Sequence, residues 1–224
     1  MSLTHLLPVD WLQELAVFPL PRVVFFPGTQ LPLHIFEPRY RAMMRDCLQS
    51  GRLAMAVTLL KPGYESDYEG RPPMHDVCTI GRIEKHEELP DGRFNLLLRG
   101  LNRVKLHELP AGDLPYRRAH VELLDLRRGS ERCSREALTT LMSTASRVAA
   151  VVRRAHPDFS LGIQPDDAPH NIADTLADRL LAEPAARQDI LETLDVSERV
   201  KKVTSYVASL LGQLEFENTK RPLQ

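Results

Sequence analysis

Lysine, cysteine, tryptophan and sustained apolar runs are all scarce in this 224-residue chain, and each scarcity excludes something. Cys47, Cys78 and Cys133 are odd in number and far apart, which supports neither a disulfide framework nor a zinc site and suits a reducing cytoplasm. Nowhere do eighteen apolar residues follow one another. The N-terminus also lacks a basic leader ahead of an apolar stretch, so the chain is expected to be soluble, neither secreted nor membrane-spanning. Charge of one sign is missing too: residues 1–128 carry 17 Lys+Arg against 16 Asp+Glu, and 129–224 carry 12 against 14. Neither half offers a basic surface for phosphates, which argues against nucleic acid as a partner. None of the 11 glycines opens a G-x-x-x-x-G-K-[ST] phosphate loop. None of the six lysines (Lys61, Lys85, Lys105, Lys201, Lys202 and Lys220) stands in a motif that would activate a serine. No ATPase or Ser–Lys peptidase chemistry, and no cofactor or metal, is expected.

Proline is abundant. Five of the 17 fall between Phe18 and Tyr40, set among bulky apolar residues. Because proline fixes φ and has no amide donor, Pro19, Pro21, Pro27 and Pro32 suit strand ends, edges and turns rather than a central strand. Pro38 suits the first position of a helix, whose stripe would be Tyr40, Met43, Met44, Cys47 and Leu48, with Gly51 as its stop.

Up to about Leu126 the signals favour strands: Glu14–Leu20, Gln30–Phe36, Arg52–Leu60, Val77–Glu88, Arg93–Leu106 and His120–Leu126. Lys61–Asp76 reads as a long exposed loop, and Asp91-Gly92 as a two-residue type I′ hairpin turn. Gly100 breaks its run where a bulge or sheet corner is expected. Beyond the charged stretch Arg127–Arg135 the period becomes helical. Leu138, Leu141, Met142, Ala145, Val148, Ala149 and Val152 form one stripe, stopped by Pro157. Ile172, Leu176 and Leu180 mark a second helix, Pro184 opens a third, and Asp195 with Glu198 caps a fourth that frays beyond Phe216. The expected fold class is α+β. A small antiparallel β-barrel with one inserted helix (residues 1–128) is followed by a helical bundle (129–224).

The runs from Phe18 to Gly28 (FPLPRVVFFPG) and from Leu31 to Tyr40 (LPLHIFEPRY) closely resemble the opening of the substrate-binding N-terminal domain of the Lon proteases. Leu89–Arg103 is similar to the family's later hairpin, and Leu191–Arg199 to the segment opening its last helix. The resemblance implies a PUA-like barrel. It also implies a non-enzymatic polypeptide-binding module, standing alone without ATPase and peptidase modules, that holds unfolded or specific polypeptides for a protease or chaperone partner. RNA or nucleotide binding through the same barrel is the alternative, for which Arg22, Arg39, Arg41, Arg45, Arg117 and Arg118 would have to gather on one side.

Phe25, Phe26, Leu33, His34 and Phe36 are the candidate polypeptide-binding residues. Together with Leu31 and Ile35 they bring more large apolar surface than a proline-rich segment turns inward easily. The plainer reading makes the apolar ones core, and His34 a strand histidine bonded to nearby backbone. His75 and Cys78 suggest a thiol–imidazole pair, at poor spacing; Cys78 also stands where the family commonly has glycine. Glu84, Glu87, Glu88 and Asp91 read as a solvated hairpin surface.

Overall fold

At each of three prolines the backbone has no ladder bond to lose. Pro19 lies in β1 (Leu15–Leu20) opposite Thr58 of β3 (Ala54–Leu59), beyond Val17, where pairing of β1 with β6 (Arg117–Leu123) has ended. Pro32 lies in β2 (Gln30–Ile35), which pairs only with β5 (Phe94–Glu108) among the described strands. Pro38 opens α1 (Pro38–Gln49), where a missing N–H costs nothing. The expected stripe of α1 is buried at Tyr40, Met43, Met44 and Cys47, and Gly51 follows its end with φ 70°. Each such large apolar side chain contributes about 1.5–3 kcal/mol when fully buried.

The computed structural model describes residues 12–124, 126, 134–164 and 166–220, with side chains up to 217. Cys133 and most of the charged stretch 127–135 lie outside the described residues. The chain divides between residues 125 and 126 into two compact units. Together they make a mixed α+β protein with one six-stranded sheet and, among the described residues, five α-helices.

In the first unit the strand order is β2-β5-β4-β3-β1-β6, where β4 is Val77–Glu88, and β5 also pairs with β6. The pairings β1–β3–β4–β5–β6 therefore return to β1. One of them corrects the expectation of an all-antiparallel sheet: β1 and β3 run parallel, Val17 opposite Ala56 and Leu20 opposite Leu59. Residues 21–53, carrying β2 and α1, are the long crossover that a parallel pair requires. Side chains of β1 and β3 alternate between two cores. Ala16, Phe18, Met55 and Val57 join α1 and Phe94 in one, whereas Leu15, Val17, Ala54 and Ala56 join Ile80, Val104 and Leu106 in the other.

Strand β5 changes partner halfway along. Residues 94–99 pair with β2 and 104–108 with β6, and the register against β4 shifts between Thr79 and Gly81 at the same level. Gly100 sits at the handover. A Cβ there would lie 2.1 Å from the carbonyl oxygen of Phe26, so only glycine allows the close approach.

The β4–β5 turn also differs from the expected type I′. Gly92 donates to the Leu89 carbonyl at 2.8 Å, Leu89 donates to Arg93 at 2.8 Å, and only Gly92 has positive φ, at 77°. A type I′ turn centred on Asp91-Gly92 needs positive φ at both, and Asp91 does not have it. The result is a three-residue loop whose last residue is left-handed. The 61–76 segment is less open than expected, since Met74 is buried and bridges Leu60, and Tyr64–Asp67 form a 3-10 turn.

The second unit holds α2 (Arg135–Val152), α3 (Pro169–Leu180), α4 (Pro184–Glu192) and α5 (Val196–Lys220). Leu141, Ala145, Val148 and Ala149 of α2 are buried, and α2 packs along α5, which α3 also contacts. Ser134 Oγ caps α2 by accepting from Ala137 N at 3.0 Å, and Asp195 Oδ1 caps α5 by accepting from Glu198 N at 2.9 Å. Instead of fraying beyond Phe216, α5 continues to Lys220.

Candidate functional site

The hydrogen-bond phase of β2 decides which of its groups face outward. Gly100 N donates to Thr29 O at 3.0 Å, so Gln30 and Arg99 form a non-hydrogen-bonded pair, as do Pro32 with Leu97 and His34 with Asn95. The backbone groups of Gln30, Pro32 and His34 therefore point away from β5, and Pro32 leaves that outer edge one donor short. Their side chains are exposed, Leu31 and Leu33 are half-buried, and Ile35 is buried.

Of the candidate residues, the strand and its exit present His34 and Phe36 to solvent, Leu33 is half-buried, and the preceding turn withdraws two. Phe36 is 59% exposed, with His34 stacked beside it at 6.3 Å between ring centroids and 26° between planes. His34 bonds to side chains rather than to backbone: Nδ1 lies 2.8 Å from Asn95 Oδ1, and Arg93 Nη1 lies 3.3 Å from Nε2. Half-buried Leu33 packs against the core. Phe25 and Phe26, by contrast, are 2% and 0% exposed, which corrects their placement on the surface. Thr79 Oγ1 donates to Phe25 O at 2.6 Å and Thr29 Oγ1 to Phe26 O at 2.9 Å, fixing the backbone so that both rings turn inward.

A cleft elsewhere in the same unit was not legible in the sequence. Pro19, Tyr40, Leu60, Tyr68, Pro72, Leu114, Pro115 and Tyr116 line it together with Arg39, Arg71 and Arg117. Its free volume is about 50 Å³, room for a side chain but far below the ~300–1,000 Å³ of pockets for cofactor-sized ligands. Arg39 lies over the rings of Tyr40 and Tyr68, 4.7 and 5.1 Å from their centroids, and donates to Glu37 Oε2 at 3.0 Å and Tyr68 O at 3.1 Å. Tyr68 donates its hydroxyl to Glu37 Oε1 at 2.9 Å. On the other wall Arg117 grips Glu108 with both arms of its fork, at 2.8 and 2.5 Å, and Arg71 binds the same carboxylate. Burial acts to raise the Glu108 carboxyl, but Arg117 and Arg71 outweigh it and hold it below its ordinary value. Burial pushes the Tyr40 hydroxyl well up.

The remaining candidates are dispersed. Cys78 is fully buried and burial pushes its thiol far up, the reverse of an activated nucleophile. His75 lies half-buried at the edge of the unit and its carbonyl accepts from Thr58 Oγ1 at 2.7 Å. The hairpin carboxylates are individually occupied: Glu84 by Gln30 and Arg99, Glu87 by Asn95, Glu88 by Arg45, and Asp91 by Arg93. Of the arginines weighed for RNA, Arg39 pairs with Glu37, Arg45 with Glu88, Arg117 with Glu108 and Arg118 with Glu14, while Arg41 holds the carbonyls of Asp91 and Gly92. Among the described residues no group of three or more His, Cys, Asp or Glu could hold a metal ion, and no helix is long and apolar enough to cross a membrane.

The sequence profile of the ATP-dependent protease La (LON) substrate-binding domain matches residues 14–209. The chain belongs to that family. Among curated relatives it is 27% identical over 212 residues to "Lon protease 2" of Myxococcus xanthus, covering 94% of this chain and 24% of the relative. It is 24% identical over 208 residues to "Lon protease" of Escherichia coli K12, covering 93% and 26%. The chain thus spans about a quarter of the length of the curated relatives it matches. The fold is shared with the crystal structure of a Lon N-terminal domain protein from Xanthomonas campestris, at TM-score 0.63 and 22% identity over 87% of this chain and 98% of that one. The N-terminal domain of the Mycobacterium avium complex Lon protease is similar at TM-score 0.63 and 16% identity, covering 88% and 98%.

Proposed function

We propose that this chain is a non-enzymatic polypeptide-binding module that holds unfolded or specific segments, in the cytoplasm, for a protease or chaperone partner. Membership of the LON substrate-binding family supports the class of ligand. The single observation that carries the site is Phe36, a large apolar ring 59% exposed at the exit of a strand whose backbone is already fixed. An ordered apolar surface loses little entropy when a chain lies on it. His34 stiffens the ring from one side, Leu33 roots the strand in the core on its opposite face, and Phe25 and Phe26 serve from the interior by anchoring the turn that aims β2. In this reading the closed cycle of five strands is a PUA-like barrel, and residues 1–128 and 129–224 are its two domains. The RNA alternative gains no comparable support, since Arg39, Arg45, Arg117 and Arg118 are each matched by a carboxylate.

Capture of a chemically denatured, fluorescently labelled model protein tests the proposal. Phe36→Ser should weaken capture about tenfold while leaving thermal stability nearly unchanged, because the ring is exposed. Equal capture by both proteins would remove Phe36 from the site, and no capture by either would remove the function.

A further inference from the structure

The Arg-lined cleft has a charge arrangement that packing alone does not require. Three guanidiniums, Arg39, Arg71 and Arg117, line it; Glu37 pairs with Arg39, and Glu108 is shared between Arg117 and Arg71. Arg117 uses both arms of its fork on Glu108 and a further N–H on Pro72 O at 2.6 Å. Arg71 reaches Glu108 and Leu109 O through Nη2 alone, and its side chain is 40% exposed. Arg71 thus stands at the rim with donors still available, beside apolar walls.

Outside the rim the sign reverses. Glu65, Asp67 and Glu69 are exposed on the 61–73 segment, and Asp67 accepts from Arg71 N at 3.2 Å. A run of acidic residues would be repelled there, whereas one carboxylate entering the cleft would meet Arg71 and a basic residue outside would meet the acidic rim. With about 50 Å³ of free space, the cleft has room for about one apolar side chain, beside a carboxylate at the rim where Arg71 stands.

We infer that this cleft is a second recognition subsite, which takes a single carboxylate of a bound polypeptide next to one apolar side chain, with Arg71 as the anion-binding residue. The inference rests on the polypeptide-binding reading above and narrows its substrate class. The carboxylate is supplied either by the chain's C-terminus or by an aspartate or glutamate within it. In both cases the planar fork of Arg71 gives charge-assisted hydrogen bonds that a neutral amide cannot match.

The test is fluorescence anisotropy with labelled peptides ending in Lys-Ser-Gly-Leu, carrying either a free or an amidated C-terminus. A second, amidated pair carries an internal Asp-Leu or Asn-Leu. Charge-assisted bonds contribute about 1.5–3 kcal/mol, so the preferred acid should bind roughly tenfold or more tightly than its neutral counterpart. That preference should disappear in Arg71→Gln and shrink with added salt. Which pair shows it identifies the source of the carboxylate, and replacing the upstream lysine by glutamate should weaken binding.

Equal affinity for acid and neutral peptides, or a preference unchanged in Arg71→Gln, overturns the inference. If denatured protein is still captured through Phe36 in that case, the broader function stands without this subsite. Binding of neither peptide nor denatured protein would overturn both.

Discussion

The most demanding side chain in the molecule is Arg199, fully buried together with Asp174, which is 1% exposed. Its Nε donates to Thr193 O at 2.8 Å and its Nη1 lies 3.3 Å from Asp174 Oδ1, so the charge is both paired and hydrogen-bonded. Stripping one partner from a buried pair leaves the other charge stranded in a medium that solvates it poorly. Asp174→Ala should therefore destabilise the helical unit by about 3–5 kcal/mol. Glu215→Ala, which removes the partner of exposed Arg147, should change stability by less than about 1 kcal/mol. Urea midpoints of the two variants check the contrast. Residue-scale chemistry was only partly legible beforehand. The sequence shows an Asp at position 174 and an Arg at 199, but a helix stripe gives no sign that two residues 25 positions apart will share one interior.

Among the elements, the β4–β5 hairpin carries the sharpest consequence of local backbone chemistry. Gly92 has φ 77°, and an added Cβ would lie 2.4 Å from Arg41 Nη2, the group that ties the turn to α1 by bonding to Asp91 O at 3.0 Å. Gly92→Ala should cost about 1–2 kcal/mol from the left-handed backbone alone, with a further loss from displacing Arg41. Thermal melts of that variant and of Arg41→Ala, compared with their double mutant, should show that the two effects do not add. Helices and strand positions were largely legible, because period, proline placement and glycine stops act within a few residues of one another. The parallel β1–β3 pair was not, since strand direction depends on the path of the intervening 33 residues rather than on either strand. Phe25 and Phe26 were misplaced for a related reason. They lie in a turn with no two-residue alternation to say which side faces in. The cleft brings together Pro19, Arg39, Tyr68, Arg71 and Arg117 from distant parts of the chain, so no motif could announce it.

In the first unit, two described cores draw on residues between 12 and 123, and the strand pairings close on themselves. A protein comprising residues 1–125 should fold by itself and give a dispersed amide spectrum. Its stability should depend on acidity in a definite direction. Glu108, Glu84 and Asp91 all have folded-state values below their ordinary ones, Glu108 through Arg117 and Arg71 against the opposing effect of burial, and the other two chiefly through hydrogen bonds from Gln30 and from Arg93. The unfolded chain consequently binds more protons in the acid range. The stabilisation is complete above the ordinary carboxylate values of about 4 and is lost as pH falls through the lower folded ones. Urea midpoints of this fragment should stay level from pH 7 to 5 and drop below pH 4, less steeply for Glu108→Gln. Strand β5, meanwhile, serves β2 with its first half and β6 with its second, on either side of Gly100. A single inserted or deleted codon there would turn inside residues outward in two places at once. Heritable changes of length should therefore be confined to stretches such as 61–73 and absent from 94–108.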